Sequence, residues 1–237
     1  MTFKAEQLAS TLVIGSQYVD DVAGFVAQAV KAGVSMVILN EAQLTGVEKQ
    51  NLAEYIRDVT RTADVAFMIA DDVALAAAVG ADGVYITDRH QVNELTAQAQ
   101  AADLYTGVSI NNRTELLEEE PAGLAFYSVS PVYPSRHVTE ESPIEHLAGL
   151  TTVVQNSDLP VVAMGGITVA RLKDIVRMGV YGAAAIDAFV DADDLVAAVA
   201  AFNDTFAGMT VDQALGNTCY GLAIPGKHTN AVQGELH

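Results

Sequence analysis

Eight short runs rich in Val, Ile, Leu and Ala, each followed by a longer amphipathic segment, set the limits on how this chain can fold. They are Leu12–Gly15, Ser35–Leu39, Ala66–Ile69, Gly83–Ile86, Leu104–Val108, Leu124–Val129, Val161–Met164 and Ala183–Ile186. Apolar runs this short describe strands buried on both faces, and the amphipathic stretches between them describe helices, so the repeat is a β-α unit around a parallel sheet. The predicted helices occupy 19–32, 46–62, 72–79, 91–102, 112–119, 143–156, 168–178 and 192–206, with Gly33, Gly80 and Gly179 at their C-terminal ends. Eight such units predict an α/β protein with a single (β/α)8 TIM barrel over residues 1–206. An open doubly wound sheet is the alternative, but no GxGxxG motif follows the first run. Residues 207–237 are glycine-rich with weak periodicity and read as a C-terminal tail or covering segment.

Composition bounds the partners. A chain of 237 residues that is 51% hydrophobic suits one barrel-sized domain with a large core. A formal charge of −18 argues against nucleic acid and anionic membrane surfaces, because the field repels phosphates. No apolar run reaches transmembrane length, and MTFKAEQLAS lacks a signal-peptide pattern, so the chain reads as cytoplasmic. The lone cysteine, Cys219, forms no internal disulfide.

In an α/β barrel the chemistry lies just beyond the carboxyl ends of the strands. Those positions hold Asn40 after the second run, Asp71 and Asp72 after the third, and Thr87, Asp88, Arg89 and His90 after the fourth. Ser109 follows the fifth, the long Ser130–Ser142 loop with Ser135, Arg136 and His137 the sixth, Gly165 and Gly166 the seventh, and Asp187 the eighth. Three of the seven arginines fall at this end, which points to a locally positive mouth for an anionic small molecule. All five lysines lie in predicted helices or terminal segments, which excludes Schiff-base aldol chemistry at a strand end. Asp71, with Asp88 or His90, offers oxygen and nitrogen ligands for magnesium; alternatively Asp71 caps the helix that follows. Gly165 and Gly166 permit close approach of a phosphate, whereas the Asp187 carboxylate repels one or caps its own helix.

The segments GVSMVILNEAQ, FMIADDVALAAAVGADGVYI, SVSPVYPS, PVVAMGGIT and GAAAIDAF, in this order, resemble the thiamine-phosphate synthase and TenI-type thiazole tautomerase superfamily over residues 12–206. The resemblance implies a single-domain barrel, a homodimer and a magnesium-dependent transfer that joins a pyrimidine diphosphate to a thiazole phosphate. It implies catalytic roles for Ser109, Arg136 and His137, a metal role for Asp71, and ligand contacts from Asn40, Thr87, Arg89, His90, Ser135, Gly165, Gly166 and Asp187. The family's two lysines fall on Ala42 and Val138, its second metal carboxylate on His90, its phosphate-site serine on Asp187 and the tautomerase histidine on Pro131. The departures fall where pyrophosphate charge must be handled. Two classes follow: an enzyme of thiamine biosynthesis, or a binding or regulatory paralogue that keeps the pocket without turnover. A sugar-phosphate isomerase or epimerase is a third, weaker possibility.

Overall fold

A computed structural model describes residues 3–135 and 146–207. Its eight parallel strands close into a barrel in strict chain order. They are β1 (Ser10–Ile14), β2 (Met36–Leu39), β3 (Ala66–Ala70), β4 (Gly83–Ile86), β5 (Tyr105–Ile110), β6 (Leu124–Val129), β7 (Val161–Met164) and β8 (Gly182–Ala185). The ring closes where Ser10, Thr11 and Leu12 of β1 pair with Ala183, Ala184 and Ala185 of β8. The α-helices are α1 (Val22–Ala32), α2 (Gly46–Thr62), α3 (Val73–Val79), α4 (Val92–Ala101), α5 (His146–Asn156), α6 (Leu172–Val176), α7 (Asp187–Val190) and α8 (Leu195–Phe206). Among the described residues, no helix is long and apolar enough to cross a membrane.

Alternation along each strand divides the apolar residues into two layers. Val13, Met36, Ile38, Met68, Tyr85, Phe126, Val162 and Ala184 fill the barrel. Leu12, Ile14, Val37, Leu39, Phe67, Ile69, Val84 and Tyr127 face the helices. On α2, Ala53, Ile56 and Thr60 are buried at helical spacing, so one stripe of the helix packs on the sheet. Carboxylates fix several helix starts: Asp21 accepts from the Gly24 N–H, Asp72 from Leu75 and Asp194 from Ala197, at 2.9, 2.9 and 3.0 Å. Gly33 and Gly80 end α1 and α3 in the left-handed conformation, as their positions in the sequence predict. At the N-terminal end of the barrel, Arg57 of α2 makes a bidentate pair with buried Asp82 (2.9 and 3.1 Å), which also accepts the Phe67 N–H at 2.8 Å.

Three helical expectations change. No α-helix forms over 112–119; a single 3-10 turn, Arg113–Glu115, stands there. The Asn112 side chain accepts from the Thr114 N–H, and Leu116 is already extended. A longer helix would set Glu115 beside Glu118 and Glu119, with Pro121 just beyond, while Leu116 and Leu117 pack on the core as an extended segment. The segment 168–178 divides into a 3-10 turn, Val169–Arg171, and the short α6, so Gly179 lies in the turn beyond the helix. After β8 an additional helix, α7, precedes α8. Positions 143–145 of the sixth predicted helix and the tail from 208, Cys219 included, lie outside the described residues.

Interior packing leaves no room at Gly107, where a Cβ would lie 2.2 Å from Cζ of Phe126, its register partner on β6. Gly107→Ala is therefore expected to destabilise the barrel by about 1–3 kcal/mol through overpacking. Denaturant melts read the effect; an unchanged midpoint would mean that Phe126 has space to move.

Candidate functional site

A cavity of about 160 Å³ opens at the C-terminal end of the barrel, between the ends of β2, β6, β7 and β8. Asn40, Ser135, Gly165, Gly166 and Asp187, five of the ligand-binding positions expected from the sequence, line it together with Tyr18, Ser130 and Met164. The described lining carries one carboxylate and no lysine or arginine. Of the three arginines behind the expected positive mouth, Arg136 lies outside the described residues and the other two stand apart from this lining. Arg113 is exposed on the 3-10 turn, and Arg89 acts electrostatically on the Tyr127 hydroxyl, in the layer between sheet and helices.

Gly165 and Gly166 adopt φ values of 85° and 61°, which a residue with a side chain rarely takes. Their missing side chains also make room for the chain itself. A Cβ at Gly165 would lie 2.8 Å from Cα and Cβ of Pro131, and one at Gly166 would lie 2.5 Å from the Pro134 carbonyl oxygen. The loops after β6 and β7 are further joined by Val132 and Tyr133 N–H groups, which donate to Met164 and Gly165 at 2.9 and 3.1 Å. Arg171 donates to the Gly166 carbonyl and lies 4.2 Å from the centre of the Tyr133 ring, so its charge is engaged in holding this junction.

Asp187 is the first residue of α7; Ile186 occupies the N-cap. The capping role considered for Asp187 is thus replaced by a place in the pocket wall, where the Ser135 hydroxyl donates to its carboxylate at 3.2 Å.

Asp71 does not cap a helix; Asp72 does, and it also pairs with Lys49 at 3.1 Å. The exposed Asp71 carboxylate instead receives the Thr87 N–H at 2.7 Å and the Thr87 hydroxyl, joining the ends of β3 and β4. Asp88 turns to its own loop, accepting from the His90 N–H and the Gln91 amide, both at 2.9 Å. His90 is exposed. Among the described residues no three His, Cys, Asp or Glu side chains group to hold a metal ion. Asp71 and Asp88 are thus held by hydrogen bonds within the protein, which leave lone pairs on each carboxylate.

Ser109, between the outward-facing Val108 and Ile110, points into the barrel beneath the mouth and acts electrostatically on the Tyr85 hydroxyl. That hydroxyl also meets Ser128 Oγ at 2.5 Å and Met164 Sδ at 3.3 Å. Burial pushes the Tyr85 pKa up, the serine contacts work against this, and the Asp71 charge adds to it, so Tyr85 serves as a neutral hydrogen-bonding group at neutral pH. Arg136 and His137 lie outside the described residues.

Sequence reasoning passed over three groups. Tyr85 lies inside an apolar run, where the period-two pattern shows its inward direction but nothing signals a hydroxyl network. Arg171 sits in a predicted helix, far in sequence from the carbonyl it holds. Glu41 follows Asn40 beyond the second run, but its role depends on contacts that only the fold creates. Its carboxylate receives the Ser16 N–H and hydroxyl at 2.8 and 2.7 Å and the Gln43 and Leu44 N–H groups at 2.7 and 2.9 Å, tying the β1 loop to the β2 loop.

The fold and the C-terminal pocket define the class: a small TIM-barrel protein whose site is made by its βα loops. Residues 10–189 match the family model described as thiamine monophosphate synthase, and the chain belongs to that family. It is 32% identical over 207 residues to the thiamine-phosphate synthase of Lactiplantibacillus plantarum, covering 85% of this chain and 95% of the relative. It is 30% identical over 181 residues to the thiamine-phosphate synthase of Haloarcula marismortui, covering 75% and 86%. Among solved structures, thiamine phosphate pyrophosphorylase from Pyrococcus furiosus superposes with a TM-score of 0.72 at 24% identity, covering 90% of this chain and 99% of that one. A 3-hexulose-6-phosphate synthase superposes at 0.58 and 20% identity, over 84% of this chain and 100% of that one, a likeness of fold alone.

Glu41 gives a pH-dependent test. Burial alone would raise its pKa, but the Ser16 hydroxyl and the N–H groups of Leu44, Ser16 and Gln43 outweigh it and hold the carboxyl below its ordinary 4.5. A depressed folded pKa contributes stability above the unfolded value, and that contribution is lost as pH falls through the folded one. Glu41→Gln is expected to cost about 1–3 kcal/mol at neutral pH. Chemical denaturation across a pH series should show the gap to wild type narrowing below pH 4.5. A gap independent of pH would mean that the charge of Glu41 contributes nothing.

Proposed function

We propose that the protein is a ligand-binding member of the thiamine monophosphate synthase family, linked to thiamine biosynthesis, that holds a small heterocyclic or phosphorylated molecule at the barrel mouth and lacks rapid synthase turnover. One observation carries this reading: the pocket brings Asn40, Ser135, Gly165, Gly166 and Asp187 together, yet its described lining supplies no cation. Departure of pyrophosphate requires positive groups aimed at the leaving oxygens. Ala42 and Val138 stand at the family's lysine positions.

In this reading the five pocket residues contact the ligand. Thr87, Arg89 and His90 belong to the β4 side of the rim, and Ser109 acts through Tyr85 on the floor. Arg136 and His137 keep their proposed catalytic roles on the sequence reading alone. No magnesium-dependent step is assigned. The proposal also includes a homodimer, a cytoplasmic location and a small molecule as partner, with no nucleic acid or membrane. A regulatory, non-catalytic paralogue is the second reading, favoured by the same described lining without a cation.

Two assays test the proposal. With pyrimidine diphosphate, thiazole phosphate and magnesium, turnover is expected to be about 100-fold or more below that of the L. plantarum relative assayed in parallel, the scale on which lost charge stabilisation acts. Comparable rates would overturn the loss of turnover. In thermal melts, at least one thiazole or pyrimidine ligand at saturation is expected to raise Tm by several degrees, whereas magnesium alone leaves it unchanged. A Tm unmoved by every such ligand would overturn the ligand class.

A further inference from the structure

We infer that the end of the barrel opposite the mouth carries a second binding site, for a small zwitterion of the amino-acid type whose carboxylate accepts from Arg57. The site is separate from the pocket of the proposed function, so either reading can fail without the other.

A cavity of about 610 Å³ lies at the N-terminal end of the barrel, walled by Ser35, Ala66 and Asp82 at the starts of β2, β3 and β4 and by the chain ahead of β1. That volume suits a small molecule and far exceeds what one water occupies. Arg57 forms part of the wall and is only 8% exposed. A guanidinium has five N–H donors, and Asp82 takes two of them. The Nε–H is buried without an acceptor among the described residues. The Tyr105 hydroxyl, on the first residue of β5 and near enough to feel the charges of Asp82 and Arg57, is buried without a partner too. Burying a donor without an acceptor is costly, so two such groups around one carboxylate mark a place that calls for a further acceptor. A carboxylate matches the need best, because its planar fork fits an edge of the guanidinium. Asp82 occupies one edge, and the edge that includes Nε–H remains.

Charge decides the rest of the ligand. The described lining holds three cations, Lys4, Arg57 and Arg61, and three carboxylates, Glu6, Asp64 and Asp82. These charges balance, and the chain as a whole carries −18, so a simple anion would enter against the field. A zwitterion brings its carboxylate in without net charge. Exposed Glu6 and Asp64 stand at the rim to meet its ammonium, while Arg57 lies deeper for its carboxylate.

NMR titration of the full chain tests this at the Arg57 side-chain Nε–H resonance, assigned by through-bond spectra. The probes are L-leucine, isocaproate, which lacks its amine, and isoamylamine, which lacks its carboxylate. Leucine is expected to move the resonance to saturation at millimolar concentration and to bind about fivefold or more tightly than isocaproate, the scale of one exposed charge contact. Isoamylamine is expected to leave the resonance in place. Glu6→Gln combined with Asp64→Asn, both exposed, is expected to bring leucine within about twofold of isocaproate. Arg57→Lys, which keeps a charge for Asp82 but lacks the planar edge, is expected to weaken leucine about tenfold or more. Thermal melts establish that each variant folds, and the wild-type titrations decide the matter if one does not. A resonance that leucine leaves unmoved, or that isoamylamine moves equally, overturns the site. Isocaproate bound as tightly as leucine overturns the zwitterion class, as does a leucine preference unchanged in the folded double variant. Leucine bound at full strength by folded Arg57→Lys overturns the role of Arg57.

Discussion

Closure of the barrel is the constraint from which the rest of the structure follows. β8 is Gly-Ala-Ala-Ala, and at Gly182 an added Cβ would lie 1.8 Å from the Leu8 carbonyl oxygen. Only a chain without a side chain there passes so close to the N-terminal segment, and this approach accompanies the pairing of β1 with β8. Opposite the small residues of β8, large side chains fill the interior: Met36, Met68, Tyr85 and Phe126, with Phe3 stacked on Phe126 at 5.9 Å. Small against large packs the interior without a pore.

Once the ring is closed, the carboxyl ends of distant strands become neighbours. Asn40, Ser135, Gly165 and Asp187 meet at one cavity although nearly 150 residues separate the first from the last. The mouth is held by contacts from loop to loop within the protein. Glu41 joins the first two loops, Asp71 and Thr87 join β3 to β4, and the Asn111 amide donates to the Ser130 carbonyl at 2.9 Å between β5 and β6. Arg171 does the same for the loops after β6 and β7. Beneath them Tyr85, Ser109 and Ser128 form a polar floor on an apolar barrel. Such supports matter because a pocket this small is sensitive to shifts of a fraction of an ångström in its walls.

Most of the fold was legible in the sequence because strands and helices follow a local rule. Every apolar run became a strand, and the bounds of Gly83–Ile86, Leu124–Val129 and Val161–Met164 match those predicted. The rule failed where a local preference competes with periodicity. Around Asn112 a side-chain acceptor and a run of glutamates keep the segment 112–119 from forming a helix. The site was legible in part. Positions at strand ends follow from the barrel, so Asn40, Gly165, Gly166 and Asp187 could be named. The partner each side chain selects could not. Asp71, at a positive φ of 53°, and Asp72 are adjacent in sequence, yet one binds across to Thr87 and the other caps α3 and holds Lys49. The glycine pair was read as permitting close approach of a phosphate; that the loop after β6 packs against the same glycines is invisible in a linear sequence.

The central claim is that this barrel carries a ligand pocket at its C-terminal end, lined by Asn40, Ser135, Gly165, Gly166 and Asp187. A crystal structure of the protein soaked with thiazole and pyrimidine ligands tests it most directly. The account predicts density for a heterocycle between Asn40, Gly166 and Ser135. Clear density for the ligand elsewhere on the molecule, with this pocket empty, would contradict it.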